Sequence, residues 1–392
     1  MLYDEVDGML TQTLIPFWKS LRDDTNGGYY GGVSYDLTVS PEAEKGCILN
    51  SRILWFFSTA AQLLHRPDLL DEAKHAYVFL RERCLDKDCG GVFWSVTYDG
   101  RPADSTKHTY NQAFAIYALA AYYEAGGDAQ ALALAQAIYR LIETRCTDEI
   151  GYLEAFDRQF RPVSNDKLSE NGVTAEKTMN TLLHVFEGYS GLYHTTHDAA
   201  VGRSMRRILE IFLKSVYNPE KRRQEVFFDR TMHSILDLHS YGHDIETSWL
   251  MDWGCSLLED PALTARLSPV TAALAENVYR TAYHDHSLWN ECDRGIENRH
   301  RVWWVQAEGM LGFLHAWQKE PQHTEYREAA EDIWEYIKTY LVDPRPHSEW
   351  FWEVGDDGKP IAGRPIVEPW KCPYHNGRMC MEVMKQYGKT AR

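Results

Sequence analysis

Six times along the chain, a short run of aromatic and β-branched residues closes on Asp or Gly. The runs are GGYYGGVSYD from Gly27, GGVFWSVTYDG from Gly90, GYLEAFDR from Gly151, EVFFDR from Glu225, LWNECDRG from Leu288 and EWFWEVGDDGKP from Glu349. Their starts lie about 60 residues apart, with one wider gap between the third and fourth. Each run reads as a short strand or hairpin. A repeat at a near-constant period governs the fold, and it has to be read before any domain boundary is drawn.

Helical patterns flank every run. PDLLDEAKHAYVFLRERCL, DAQALALAQAIYRLIETRC and TEYREAAEDIWEYIKTYLV carry apolar residues at three- and four-residue spacing with charges between, so they predict amphipathic helices on an outer layer. ILNSRILWFFSTAAQLL, TYNQAFAIYALAAYYEA, AEKTMNTLLHVFEGYSGLY, IETSWLMDWGCSLL, RVWWVQAEGMLGFLHAW and NGRMCMEVMKQY are apolar on most sides and predict inner helices. Six outer/inner pairs joined by short β-hairpins imply two concentric rings: an all-α (α/α)6 barrel, with residues 1–392 as one catalytic domain. An open solenoid is the alternative, but neither end carries a polar capping repeat.

Composition removes several classes of partner. A formal net charge of -16 without a basic run opposes nucleic acid and anionic membranes. No apolar run approaches the roughly 18 residues of a membrane span. The opening MLYDEVDGML lacks the basic and apolar regions of a secretory signal, which gives the expectation of a cytoplasmic protein. Eight scattered cysteines without CxxC pairs fit reduced thiols. The evenly spread charge suggests a monomer, and 13 Trp with 23 Tyr suit platforms for sugar rings as well as a large core.

Polar residues stand near the start of each inner helix: Arg52; Tyr110 and Asn111; Asn180 and His184; His243 and Glu246; Glu308; His375. If the rings close, these positions face one cavity. Asn180 and His184 are i,i+4, and His243 and Glu246 are i,i+3, so each pair shares a helical face. Three chemistries compete. A metal site at His239, His243 and Glu246 needs both histidines on one formed helix, yet Ser240 and Gly242 between them place His239 in the preceding loop. Glycoside hydrolysis could use Glu246 and Glu308 as acid and base. Proton transfer next to a carbonyl could use His243 and His375, with His184 and Arg52 stabilising an enediolate oxygen and each glutamate orienting an imidazole.

NSRILWFFS, SENGVTAEKTMNTLLHVFEGY, YGHDIETSWL, RVWWVQAEGMLGF and WKCPYHNGRMCMEV closely resemble the cellobiose 2-epimerases, within the N-acylglucosamine 2-epimerase superfamily. The resemblance runs from near residue 5 to near 387. It implies an (α/α)6 barrel and reversible epimerisation, without cofactor or metal, at C2 of the reducing-end glucose of β-1,4-linked disaccharides. Cellobiose would give 4-O-β-glucosylmannose and lactose would give epilactose. By the same resemblance His243 and His375 are the acid/base pair, and His184 and Arg52 hold the oxyanion. Glu246 and Glu308 are partners of the histidines and of ring opening, while Tyr110, Asn180, Trp303, Trp304 and Trp370 contact sugar. Glu368 departs from the pattern, since glycine is expected before PWKCPYHNGR. Within the superfamily, a mannose or N-acetylglucosamine isomerase or epimerase is the alternative.

Overall fold

Two kinds of helix alternate along the chain, and burial separates them. The computed structural model describes residues 2–168 and 171–388; Ser169 and Glu170, which open the SENGVTAEKTMNTLLHVFEGY motif, lie outside these. The N-terminal helices are α1 (Leu2–Gly8) and α2 (Ile15–Ser20), joined by a π turn over Met9–Leu14. There follow α3 (Cys47–Leu64), α4 (Pro67–Phe79), α5 (Thr109–Gly126), α6 (Ala129–Arg145), α7 (Met179–Thr196), α8 (Ala199–Ile211), α9 (Tyr241–Leu257), α10 (Pro261–Thr281), α11 (Trp303–Lys319), α12 (Thr324–Tyr336) and α13 (His375–Gly388). In α3 every residue from Cys47 to Ala61 is buried, polar Asn50, Ser51 and Arg52 included. In α8 only one stripe is: Val201, Gly202, Ser204, Met205, Ile208 and Leu209. The first kind is surrounded by protein and the second faces solvent on one side.

Local signals set the ends. Asp128, Asp198 and Asp260 accept from backbone N–H groups of the first turns of α6, α8 and α10, satisfying donors that a helix start leaves open. The inner helices α3, α5 and α7 stop on left-handed residues, His65, Gly127 and His197.

The inner helices pack in sequence, α3 on α5, α5 on α7, α7 on α9, α9 on α11 and α11 on α13, and α13 packs on α3. Each also packs against the outer helix that follows it, from α3 with α4 to α11 with α12. Among the described residues no outer helix follows α13, and α1 packs on it instead. Close approach is built in at Gly188 of α7: a Cβ there would lie 2.6 Å from the Ala113 carbonyl oxygen of α5, a backbone atom that cannot rotate away.

The six aromatic runs form hairpins, but they also reach outside themselves. Val33 bridges Val39, Phe156 bridges Pro162, Phe228 bridges Ser234 and Val354 bridges Pro360, each partner six residues further along the chain. The same strands pair with residues that lead into an inner helix of the preceding repeat. Lys45–Gly46 pairs with Ser95–Val96, Lys107–His108 with Ala155–Phe156, Lys177–Thr178 with Phe227–Phe228, Leu238–Ser240 with Glu291–Asp293, and Arg301–Val302 with Glu353–Val354. Val33 bridges Val367 and links the first run to the last repeat. A basic side chain two residues before each of the first five inner helices of this series is tied to a carboxylate. Lys45 meets Asp23 at 2.6 Å, Lys107 meets Asp86 at 3.1 Å, Lys177 meets Asp148 at 2.8 Å, His239 meets Asp244 at 2.8 Å and Arg301 meets Asp356 at 2.6 Å. Lys371, ahead of α13, bonds Glu349. His239 therefore stands off the helix, on a short strand where a loop was expected, as the fourth member of a structural series.

Candidate active site

The first turns of the inner helices converge on a cavity of about 500 Å³. Arg52, Tyr110, Asn180, His184, His243, Glu246, Trp303, Trp304, Trp370 and His375 line it, so the structure brings together ten of the twelve residues expected there. Glu308 is fully buried one layer behind, against His375. Asn111 is turned away, its side-chain amide donating to the Phe93 carbonyl.

The two candidate acid/base histidines are held differently. His375 Nδ1 lies 2.8 Å from Glu308 Oε1. His243 Nδ1 lies 2.7 Å from Ser240 Oγ. The expectation that Glu246 orients His243 is overturned: the Glu246 carboxylate turns away and bonds the Arg378 guanidinium. Positions three apart on a helix diverge by about 60° in azimuth, and a buried cation on the facing α13 decides which way the side chain points. Trp304 connects the pair, its ring centroid 4.8 Å from that of His243 and 5.4 Å from that of His375. In both imidazoles the other nitrogen, Nε2, makes no hydrogen bond to the described residues. Burial pushes the His243 pKa down to about 3, and His184 adds to the shift; burial and the Arg378 charge hold His375 well below its ordinary value.

Arg52 is a buried cation with no carboxylate bonded to it among the described residues. Its guanidinium lies against the rings of Phe114 and Tyr374, 4.1 and 4.6 Å from their centroids, and donates to Tyr110 Oη at 2.8 Å. Its charge is thus directed at whatever enters the cavity. His184 Nδ1 lies 2.8 Å from Glu187 Oε2, and its Nε2 is 3.9 Å from Glu246 Oε2. Trp370 meets Tyr110 at 5.8 Å and Trp94 at 5.6 Å between centroids, and Trp303 and Trp352, 4.8 Å apart, also line the cavity.

Beneath the histidines lies a charged cluster. Arg378, one turn after His375, bonds Glu187 at 2.6 Å, Glu308 at 2.7 Å and Glu246. One guanidinium cannot neutralise three buried carboxylates. Burial pushes the Glu246 carboxyl up to about 8, with the Glu308 charge adding to the shift, so Glu246 holds a proton near neutral pH; burial raises Glu308 as well. Glu187 is ionised: burial raises it, but Arg378, His184 and Tyr374 outweigh that and bring it down to about 2. Three polar atoms of cavity-lining residues, Asn180 Oδ1, Glu246 Oε2 and Trp303 Nε1, are buried with no hydrogen-bond partner among the described residues. They are available to ligand hydroxyl groups.

A match to N-acylglucosamine 2-epimerase (GlcNAc 2-epimerase) spans residues 27–376. The chain belongs to this epimerase family. A cellobiose 2-epimerase of Eubacterium cellulosolvens is 52% identical over 96% of each chain. Among solved structures, a sugar epimerase from a ruminal bacterium superposes with a TM-score of 0.97 at 47% identity, covering 98% of this chain and 99% of that one. Cellobiose 2-epimerase from Bacillus thermoamylovorans B4167 gives 0.95 at 41% identity, with the same coverage. The helix-rich fold of this epimerase is therefore that of the sugar epimerases.

Sequence reasoning missed four residues of the epimerase site. Glu187 and Arg378 stand three residues after His184 and His375, a spacing visible in LLHVFEGY and HNGR. Ser240 precedes its helix, and Trp249, whose Nε1 donates to Glu308 Oε2 at 3.0 Å, lies too far along α9 to join the pattern of helix starts. Glu368 does not line the cavity; its Oε1 accepts from the Trp370 backbone N–H at 3.2 Å and fixes the turn that presents that ring. By distance alone Glu246, Glu308 and His375 could hold a metal ion. The donors do not fit one, because Arg378 bonds both carboxylates and would stand against a cation placed between them.

Proposed function

We propose that this epimerase inverts C2 of the reducing-end glucose of β-1,4-linked disaccharides, cellobiose to 4-O-β-glucosylmannose and lactose to epilactose, by proton removal and return. The observation that carries this is the pair of cavity-lining imidazoles, His243 and His375, each with its ring near Trp304 and with Nε2 making no hydrogen bond to the described residues. The 52% identity to a cellobiose 2-epimerase supports the substrate class.

The reducing ring lies among Trp304, Trp303 and Trp370, and its hydroxyls meet Asn180 and the Trp303 indole N–H. Glu246, holding a proton, serves ring opening as an acid. One histidine then takes the C2 proton through Nε2 while the C2–H electron pair moves into a C1–C2 double bond. The carbonyl oxygen becomes an enediolate oxygen facing Arg52 and His184. Rotation about C2–C3 presents the other face, and the second histidine delivers a proton to C2. The balance needs one proton in the pair before reaction and leaves one after it. The His375–Glu308 couple holds it in one state and His243 in the other, so each imidazole is acceptor in one direction and donor in the reverse.

The reading takes residues 1–392 as a single (α/α)6-barrel domain, acting as a cytoplasmic monomer without a cofactor. The packing of α13 on α3 and the Val33–Val367 bridge support closure of the ring. Incubation with cellobiose in deuterated water tests the chemistry. Glucosylmannose carrying deuterium at C2 is expected by NMR. Product without label at C2, release of free glucose, or turnover of mannose or N-acetylmannosamine with none of cellobiose would each overturn it.

A further inference from the structure

Ser240 closes the short strand Leu238–Ser240 and stands at the entry to α9, three residues before His243, with no capping bond from its side chain. It is buried, lines the cavity, and places Oγ 2.7 Å from His243 Nδ1. Two further contacts immobilise the same residue: the Trp304 ring against the imidazole and the Gln224 amide, which donates to the His243 carbonyl at 3.2 Å. The strand is itself fixed, since Ser240 pairs in register with Glu291. The hydroxyl thus has a defined position relative to the ring, and among the described residues it is the sole side chain bonded to Nδ1.

The two imidazoles therefore have chemically different partners behind them. His375 faces a carboxyl that can exchange a proton with it. His243 faces a neutral hydroxyl, which can donate or accept but does not ionise near neutral pH. This matters because a neutral imidazole has two tautomers, and only the one protonated at Nδ1 leaves the Nε2 lone pair open to the cavity. The imidazolium also carries a proton at Nδ1. Both states that His243 must visit in a two-histidine transfer share an Nδ1–H, which requires an acceptor on that side. Free imidazole side chains in water favour the opposite tautomer, so something at Nδ1 has to select.

We propose that Ser240 is a positioning residue for the epimerisation, whose Oγ accepts from His243 Nδ1–H and thereby holds Nε2 as the proton acceptor. The inference rests on the acid/base role proposed for His243. The hydroxyl hydrogen then turns into the cavity, where it is free to donate to a sugar oxygen. A hydroxyl rather than a carboxylate in this place leaves the imidazolium without an adjacent counter-charge. His243 consequently gives its proton back readily, as a reversible reaction requires.

The test compares the wild type with Ser240→Ala and Ser240→Thr, using protein labelled with 15N histidine and the His243 signals assigned by difference from His243→Asn. In the wild type, Nδ1 of His243 is expected to be protonated and Nε2 bare. In Ser240→Ala the tautomer is expected to reverse, with kcat falling about 10- to 100-fold in both directions and KM changing less than twofold. Ser240→Thr, which keeps the hydroxyl, restores the tautomer and most of kcat. An unchanged tautomer in Ser240→Ala, or a loss that Ser240→Thr does not rescue, overturns the proposal. The tautomer is read without turnover, so it is separable from failure of the parent reading, for which His243→Asn would retain epimerisation.

Discussion

Glu154 illustrates how a single buried residue links the site to pH. It sits under the start of α7, where Oε1 accepts from the Thr178 backbone N–H and Oε2 from Thr181 Oγ1, both at 2.7 Å. This anchors the turn that carries Asn180 and His184. Burial pushes the carboxyl from its ordinary 4.5 up to about 7. A carboxyl raised on folding binds its proton more tightly in the native state, so stability falls as pH rises through that window and levels off above it. The cost amounts to about 3 kcal/mol across the window at 1.36 kcal/mol per unit. Glu154→Gln is expected to remove this component: urea unfolding between pH 5 and 8 should show a shallower loss of stability in the variant, and equal slopes would refute the assignment.

At the scale of elements, the connections between repeats depend on buried ions. Lys107, leading into α5, and Asp86, after α4, are both fully buried and 3.1 Å apart, and Lys107 also donates to the Gly90 carbonyl at 3.1 Å. Asp86 is held further by Arg158 from the next repeat at 2.8 Å, so one carboxylate ties two repeats together. Removing Asp86 strands the buried Lys107, whereas Asp86 without Lys107 still has Arg158. Asp86→Asn should destabilise by about 3–5 kcal/mol, while Asp86→Asn with Lys107→Met should recover part of that loss. Denaturant midpoints of the two variants check this, and equal midpoints would show that the ions are not coupled. The same elements explain a limit of pattern reading. Amphipathic periodicity identifies α4, α6 and α12, but nothing local reveals that α1 packs against α13, because that contact joins opposite ends of the chain.

For the whole molecule, the decisive property is that the buried carboxylates beneath the cavity are served by the protein's own cation and by a proton held on Glu246. Arg378 is shared among Glu187, Glu246 and Glu308, and His184 and His375 each bond one of these carboxylates. The cluster is occupied by the protein's own cation. Millimolar chelator is therefore expected to leave the rate of cellobiose conversion unchanged, measured as product by NMR or chromatography. A loss that a single divalent ion restores would mean that Arg378 yields its place to a metal.

Much of this protein was legible from residue order. The six-fold run of aromatic segments, the two helix types and the in-phase polar positions from Arg52 to His375 follow from local periodicity and from which side chains tolerate burial, both properties of short stretches. The resemblance carried by YGHDIETSWL and WKCPYHNGRMCMEV pointed to the family that the comparisons establish. Tertiary structure alone decided the partners. Glu246 stands three residues after His243 and bonds Arg378 on another helix; Ser240, an unmarked serine ahead of α9, takes its place beside the imidazole. Hydrogen bonds at a buried site go to whichever group the packing brings within about 3 Å, and packing between helices more than a hundred residues apart is not encoded in the spacing along any one of them.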